Sequence, residues 1–128
     1  MRSQDGSIDS EVIARFRRLT TTRDPHFFED MVTLFAADSE KRLSSMREAL
    51  EQSKFDRLAR DAHGLGGGAV IVGAYRLAKI CAPLQQAPSM TKNEIHELVE
   101  MIQEEYAEVR RQLDLALKSF TSIGIAKT

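Results

Sequence analysis

The sequence predicts an all-α protein: an antiparallel up-down-up-down four-helix bundle with a short extra N-terminal helix. Three observations predict it. Apolar residues recur at spacings of three and four along most of the chain. No stretch alternates with the period of two that a half-buried strand needs. The breaks between periodic stretches are short, which makes successive helices run antiparallel. With 128 residues the chain holds one core. A single domain, 1–128, is expected, folded over about residues 8–118 with loose tails.

Each helix carries its own signals. Ile8, Val12, Ile13, Phe16 and Leu19 mark one face of the first, which Asp9 or Ser7 caps and Thr20-Thr21-Thr22 ends. Residues 1–7 are polar and read as loose. Asp24-Pro25 reads as a helix start, with Asp as cap and Pro at the first helical position, where no N–H is needed. Phe28, Met31, Val32, Phe35, Ser39, Leu43, Met46 and Leu50 then mark a long amphipathic helix of roughly 25 residues. Ser53 and Asp56 have the spacing of a capping box and open a third helix. Its stripe is Phe55, Leu58, Ala59, Ala62, Leu65 and Ala69, and Gly73 ends it in a left-handed or extended conformation. A fourth segment, Ala74 to about Gln86, carries Leu77, Ile80, Cys81 and Leu84 on one side. Pro83 has no amide hydrogen and should kink or stop it near Lys79–Ala82. Ala87-Pro88-Ser89 reads as a linker. Thr91 and Glu94 form a second capping box. The last helix follows, roughly seven turns bearing Ile95, Leu98, Ile102, Tyr106 (or Glu105), Val109, Leu113 and Leu117. Thr121 to Thr128 shows no period.

Composition removes several function classes. A net charge of −1 offers no basic excess for nucleic acid or a membrane surface. No apolar run is long enough to span a membrane, and the N-terminus lacks the apolar stretch of a signal peptide. One cysteine, Cys81, excludes an internal disulfide and a cysteine-rich zinc site and suits a reducing cytoplasm. It reads as a small core residue. His26 and His96 lie apart, and no His-x-x-x-His pattern exists, so no metal site is expected. Glu104-Glu105 and Asp38/Glu40 read as solvated helix faces, and Met31, Met46 and Met101 as core positions. The run Gly64 to Gly68 lacks the Lys-Ser/Thr end of a nucleotide phosphate loop.

The unusual stretch is Asp61-Ala62-His63-Gly64-Leu65-Gly66-Gly67-Gly68-Ala69. Four of the five residues after His63 are glycine. Relative to alanine they weaken a helix by about 3–4 kcal/mol together. At about 100° per residue, His63 falls on the flank of the third helix, about 110° from the centre of its apolar stripe. Arg60, Gly67 and Val70 share its face, one or two turns away. Val70 and Ile71 add an exposed apolar margin of the kind that suits protein docking. A neighbouring helix packing closely can explain Gly66, on the core side, but not Gly64 or Gly67. The glycines therefore point to another molecule approaching the backbone beside His63.

These residues resemble the histidine phosphotransfer (HPt) family. Its pattern Ala-His-x-Leu-Lys-Gly-small-small-x-x-x-Gly-Ala is met by Ala62-His63-Gly64-Leu65-Gly66-Gly67-Gly68-Ala69-Val70-Ile71-Val72-Gly73-Ala74. Leu77, Cys81 and Leu84 match downstream, and Asp24-Pro25-x-Phe27, Phe35, Ala49-Leu50 and Arg57-Leu58 match upstream. The resemblance covers roughly residues 8–117. It implies that His63 accepts a phosphoryl group from a receiver-domain aspartyl phosphate and passes it on. It implies no cofactor on this chain, with Mg²⁺ expected on the receiver. The implied partners are receiver domains of a response regulator or hybrid sensor kinase. A cytoplasmic monomer is expected, either free or as the cytoplasmic domain of a membrane-bound sensor kinase, with no nucleic acid and no direct membrane contact. Gly64, Gly66, Gly67, Gly68 and Val70 would lie next to the phosphate or receiver. The family's lysine is replaced by Gly66, and Arg60, one turn below His63, is the candidate substitute. The family's acid after Leu84 is also missing, since Gln85-Gln86 follow. The alternative reading is an interaction module that binds a receiver or kinase without taking phosphate.

Overall fold

The computed structural model describes residues 6–22 and 24–123. They form α1 (Ser10–Thr22), α2 (Phe27–Glu51), α3 (Phe55–Ile71), α4 (Tyr75–Cys81) and α5 (Lys92–Ile123), with a 3-10 segment, Ala82–Ser89, between α4 and α5. No strand occurs among the described residues. The expected all-α helical bundle is what forms. α2, α3, α4 with its 3-10 extension, and α5 surround one core, and α1 lies against the end of α2.

The core follows the helical periods. Phe28, Val32, Phe35, Leu43 and Met46 of α2 are buried with Leu58, Ala62, Leu65 and Ala69 of α3. Leu77, Cys81 and Leu84 close one side, and Ile95, Ile102, Val109 and Leu113 of α5 the other. α1 buries Val12 and Phe16, whose ring lies 5.8 Å from those of Phe27 and Phe28. Phe28 in turn meets Phe120 at 4.3 Å. Aromatic side chains thus close the end of the bundle beneath α1.

Helix ends show where local signals act. Asp9 caps α1, its Oδ1 accepting the Glu11 N–H at 2.9 Å. The Thr91–Glu94 box forms in both directions. The Thr91 N–H donates to Glu94 Oε1 at 2.9 Å, and the Glu94 N–H donates to Thr91 Oγ1 at 3.1 Å. α3 ends as expected. Gly73 takes φ +80°, its N–H donates to the Val70 carbonyl, and the Ala74 N–H reaches back to the Ala69 carbonyl at 2.8 Å. This is a Schellman ending. Gly73 also carries α1, because its carbonyl accepts the Asp9 N–H at 2.9 Å and its Cα faces Val12.

Several expectations are corrected. Ser53 makes no capping box. It ends α2 in the same Schellman geometry with φ +57°, its N–H on the Leu50 carbonyl and the Lys54 N–H on that of Ala49. α3 starts at Phe55 with no side-chain cap. The Asp24-Pro25 signal builds a turn instead of the first helical turn. Asp24 Oδ1 accepts the His26 N–H at 3.0 Å, and α2 begins at Phe27. Pro83 stops α4 as expected, but Ala87-Pro88-Ser89 belong to the 3-10 segment, not to a linker. Ser7 and Ile8 are buried, so residues 1–7 are not uniformly loose. α5 continues to Ile123, past the expected end of its pattern. Residues 1–5 and 124–128 of the expected tails lie outside the described residues. Met101 is exposed and not a core residue. Glu105 is not on a solvated face: its side chain is only 10 % exposed and lies 3.6 Å from Arg76.

The two Schellman endings give opposite mutational outcomes. Ser53→Gly removes a left-handed side-chain penalty and should stabilise the fold by about 1 kcal/mol. Gly73→Ala adds that penalty, and its Cβ would stand 2.9 Å from that of Val12. It should destabilise by about 2 kcal/mol or more. Urea unfolding of the two variants measures both signs.

Candidate phosphotransfer site

α3 has four distinct edges, and each is set by what it meets. Leu58, Ala62, Leu65 and Ala69 turn into the core. Arg57, Asp61, Gly64 and Gly68 face α2. Arg57 Nη2 donates to the Ser45 carbonyl and to Glu48 Oε1, Asp61 stands 3.8 Å from Arg42, and Gly68 lies against Phe35. Gly66 faces α4, with Cys81 and Ala78 opposite. That leaves Arg60, His63, Gly67, Val70 and Ile71 outward, and all five are exposed. His63 therefore stands on the solvent face of a helix whose other sides are occupied.

The glycines separate by the same test. A Cβ on Gly64 would overlap the Arg42 guanidinium. A Cβ on Gly66 would rest 3.5 Å from Cys81 Cβ, and one on Gly68 3.6 Å from Phe35 Cδ1, both ordinary contacts. A Cβ on Gly67 would meet nothing within 4 Å. Internal packing thus leaves room for alanine at Gly66, Gly67 and Gly68. Gly64 was expected to lack a packing reason and has one, whereas Gly66 was granted one and has room for a Cβ. Gly68 sits against α2, so it is less open to an incoming molecule than Gly67.

The outer face of α3 that carries His63 also carries exposed apolar residues. Val70 and Ile71 are 50 % and 60 % exposed. Leu34 of α2 is 68 % exposed, one residue before the Phe35 that touches Gly68. Sequence reading missed Leu34, which falls off the α2 stripe and needs the α2–α3 packing to be placed. It also missed Arg42. Its Nε donates to Asp38 Oδ2 at 2.8 Å, and its guanidinium crosses Gly64 toward Asp61. Arg60 is exposed and has no ion-pair partner among the described residues. Cys81, behind Gly66, is buried, and burial pushes its thiol up to about 12. No three His, Cys, Asp or Glu side chains among the described residues are placed to hold a metal. None of the described helices is long and apolar enough to cross a membrane.

Comparison with known proteins bears on this arrangement. The Hpt domain family model matches residues 30–119. Histidine-containing phosphotransfer protein 1 of Arabidopsis thaliana is 26 % identical over 117 residues, covering 89 % of this chain and 75 % of that protein. Among solved structures, histidine-containing phosphotransfer protein B of Pseudomonas aeruginosa aligns at a TM-score of 0.74 with 28 % identity, covering 85 % of this chain and 92 % of the other. A maize histidine-containing phosphotransfer protein aligns at 0.82 with 22 % identity, covering 94 % and 89 %.

Two outcomes follow. Gly67→Ala should raise stability by about 1 kcal/mol, since helix propensity improves and no contact is disturbed. Chemical denaturation reads this directly. Cys81 should stay unreactive toward a thiol-specific disulfide reagent at pH 8 in the folded protein. The thiolate that reacts is suppressed until pH nears the raised value, and labelling should appear only with unfolding.

Proposed function

The chain belongs to the Hpt domain family, the phosphotransfer modules of two-component phosphorelays, and on that premise we propose that His63 is the residue that carries the phosphoryl group. The observation that carries the proposal is the position of His63: exposed, on an edge of α3 that no other helix takes among the described residues, and on the same face as Gly67, where a Cβ would meet nothing within 4 Å. The ring nitrogen without a proton attacks the phosphorus of a receiver aspartyl phosphate. The P–O bond to the carboxylate breaks, and the carboxylate leaves with its electrons. The proton on the other ring nitrogen balances the charge and exchanges with water. Return transfer to a second receiver reverses these steps.

The remaining residues serve approach and charge. Gly67 lets the receiver backbone come close to α3, and Gly66 and Gly68 keep its flanks low. Val70, Ile71 and Leu34 supply apolar contact of the kind that protein docking uses. In this reading the divalent cation of the reaction, Mg²⁺, is held by the receiver. Arg60 is the substitute for the family's lysine. It is exposed, on the outer face with His63, and uncommitted to any carboxylate among the described residues. The working form is a cytoplasmic monomer meeting receivers of a response regulator or hybrid sensor kinase. A second reading, binding without phosphate, draws on Gly66, which removes the cation that would favour the phosphorylated state.

Incubation with a phosphorylated receiver followed by mass spectrometry separates the two. An acid-labile phosphoryl adduct, absent in His63→Gln, supports transfer, whereas binding with no adduct supports the second reading. Gly66→Lys should raise the phosphorylated fraction several-fold by placing a cation beside the phosphate, and the Cβ fits without displacing Cys81. Arg60→Ala should lower it. An unchanged fraction and unchanged phospho-His63 lifetime would remove Arg60 from the site.

A further inference from the structure

The Asp38–Arg42–Asp61 cluster has no part in the transfer step described above, yet it adjoins the transfer site. Arg42 leaves α2 and lays its guanidinium across α3 at Gly64, where any Cβ would overlap it. Chain geometry then places the guanidinium carbon within about 8 Å of the His63 Cα. Nε is held by Asp38 Oδ2 at 2.8 Å, and Nη1 stands 3.8 Å from Asp61 Oδ1.

Asp61 is the reason this matters. It lies two residues before His63, its side chain is only 18 % exposed, and its Oδ2 is buried without a hydrogen-bond partner among the described residues. Little water screens this carboxylate. A phosphoryl group on His63 adds up to two negative charges on the same turn of helix. Of the other charged residues flanking this turn of α3, Asp56 and Arg60 are exposed and more strongly screened, and Arg57 is held by the Ser45 carbonyl and Glu48. Arg42 is the cation placed against Asp61.

We infer that Arg42 is a positioning residue for phosphoryl transfer. Seated in the slot that Gly64 leaves open, it offsets the charge of Asp61, so that a phosphoryl group on the same turn of α3 is not added beside a bare, poorly solvated carboxylate. Gly64 is the complement of Arg42: the glycine admits the guanidinium, and the guanidinium fills the space a side chain would occupy. The inference rests on His63 being the phospho-acceptor. It places a cation from α2, shared between Asp38 and Asp61, in a site whose own helix has Gly66 in place of lysine.

The test uses the full chain and phosphoramidate, a small anionic phosphoryl donor, so that no receiver need be identified. Phosphohistidine formation is followed by ³¹P NMR. Arg42→Met keeps the apolar stem and removes the charge. It should slow phosphorylation about three- to tenfold at low ionic strength, and the difference should shrink at high salt. Adding Asp61→Asn to Arg42→Met should restore the wild-type rate, which a purely structural role for Arg42 would not do. Gly64→Ala should displace the guanidinium and reproduce the slowing. An Arg42→Met rate equal to wild type, or a slowing that Asp61→Asn does not reverse, overturns the inference and leaves His63 as carrier intact. Wild-type protein that forms no phosphohistidine at His63 overturns both.

Discussion

Everything at the candidate site depends on the rotation of α3 about its own axis. Leu58, Ala62, Leu65 and Ala69 hold that rotation because all four are buried in the core. A turn of one residue, about 100°, would expose that stripe and drive His63 into a neighbouring helix. Burying a leucine is worth about 1.5–3 kcal/mol, so the two leucines alone bind α3 firmly to one rotation. His63 is thus aimed by apolar packing on the far side of its helix. Both ends of α3 are then pinned by Schellman turns, at Ser53 before it and at Gly73 after it. The second also anchors α1.

This rigidity coexists with a poor local helix. The stretch from Gly64 to Gly68 gives away helix propensity that three of its four glycines do not need for internal packing. Tertiary burial of Leu65 and Ala69 on the opposite side compensates. The pattern matches a general trade in which sites for other molecules are built from locally unfavourable choices carried by the surrounding fold. Gly64 differs from the rest, because what approaches it is a side chain of the protein itself.

The electrostatics follow the same division between helices. α3 brings His63 and Asp61, whereas α2 brings Arg42 and Asp38. The exposed apolar residues are shared in the same way, Val70 and Ile71 from α3 and Leu34 from α2. A docking partner that reaches His63 therefore meets a surface formed by two helices, and the α2–α3 contact sets its shape. Cys81 and Ala78 support α3 at Gly66, which stays half-buried.

The amino-acid sequence by itself determined what is local to one helix. The periods of α2, α3 and α5, the Thr91–Glu94 box, the stop at Pro83, the left-handed Gly73 and the outward face of His63 all follow from spacing within a single segment. Such features depend on backbone hydrogen bonding and on the 3.6-residue turn, which neighbours do not alter. Where two signals competed locally, sequence reading chose wrongly. Ser53 can cap a helix or end one, and the preceding helix took it; Asp24 capped a turn instead of the helix. Only tertiary structure decided what lies opposite each face. It put Arg42 over Gly64, Phe35 against Gly68 and Glu105 against Arg76, and it left Leu34 and Met101 in solvent. These pairings join residues tens of positions apart, and no period within one helix encodes which neighbour it will meet.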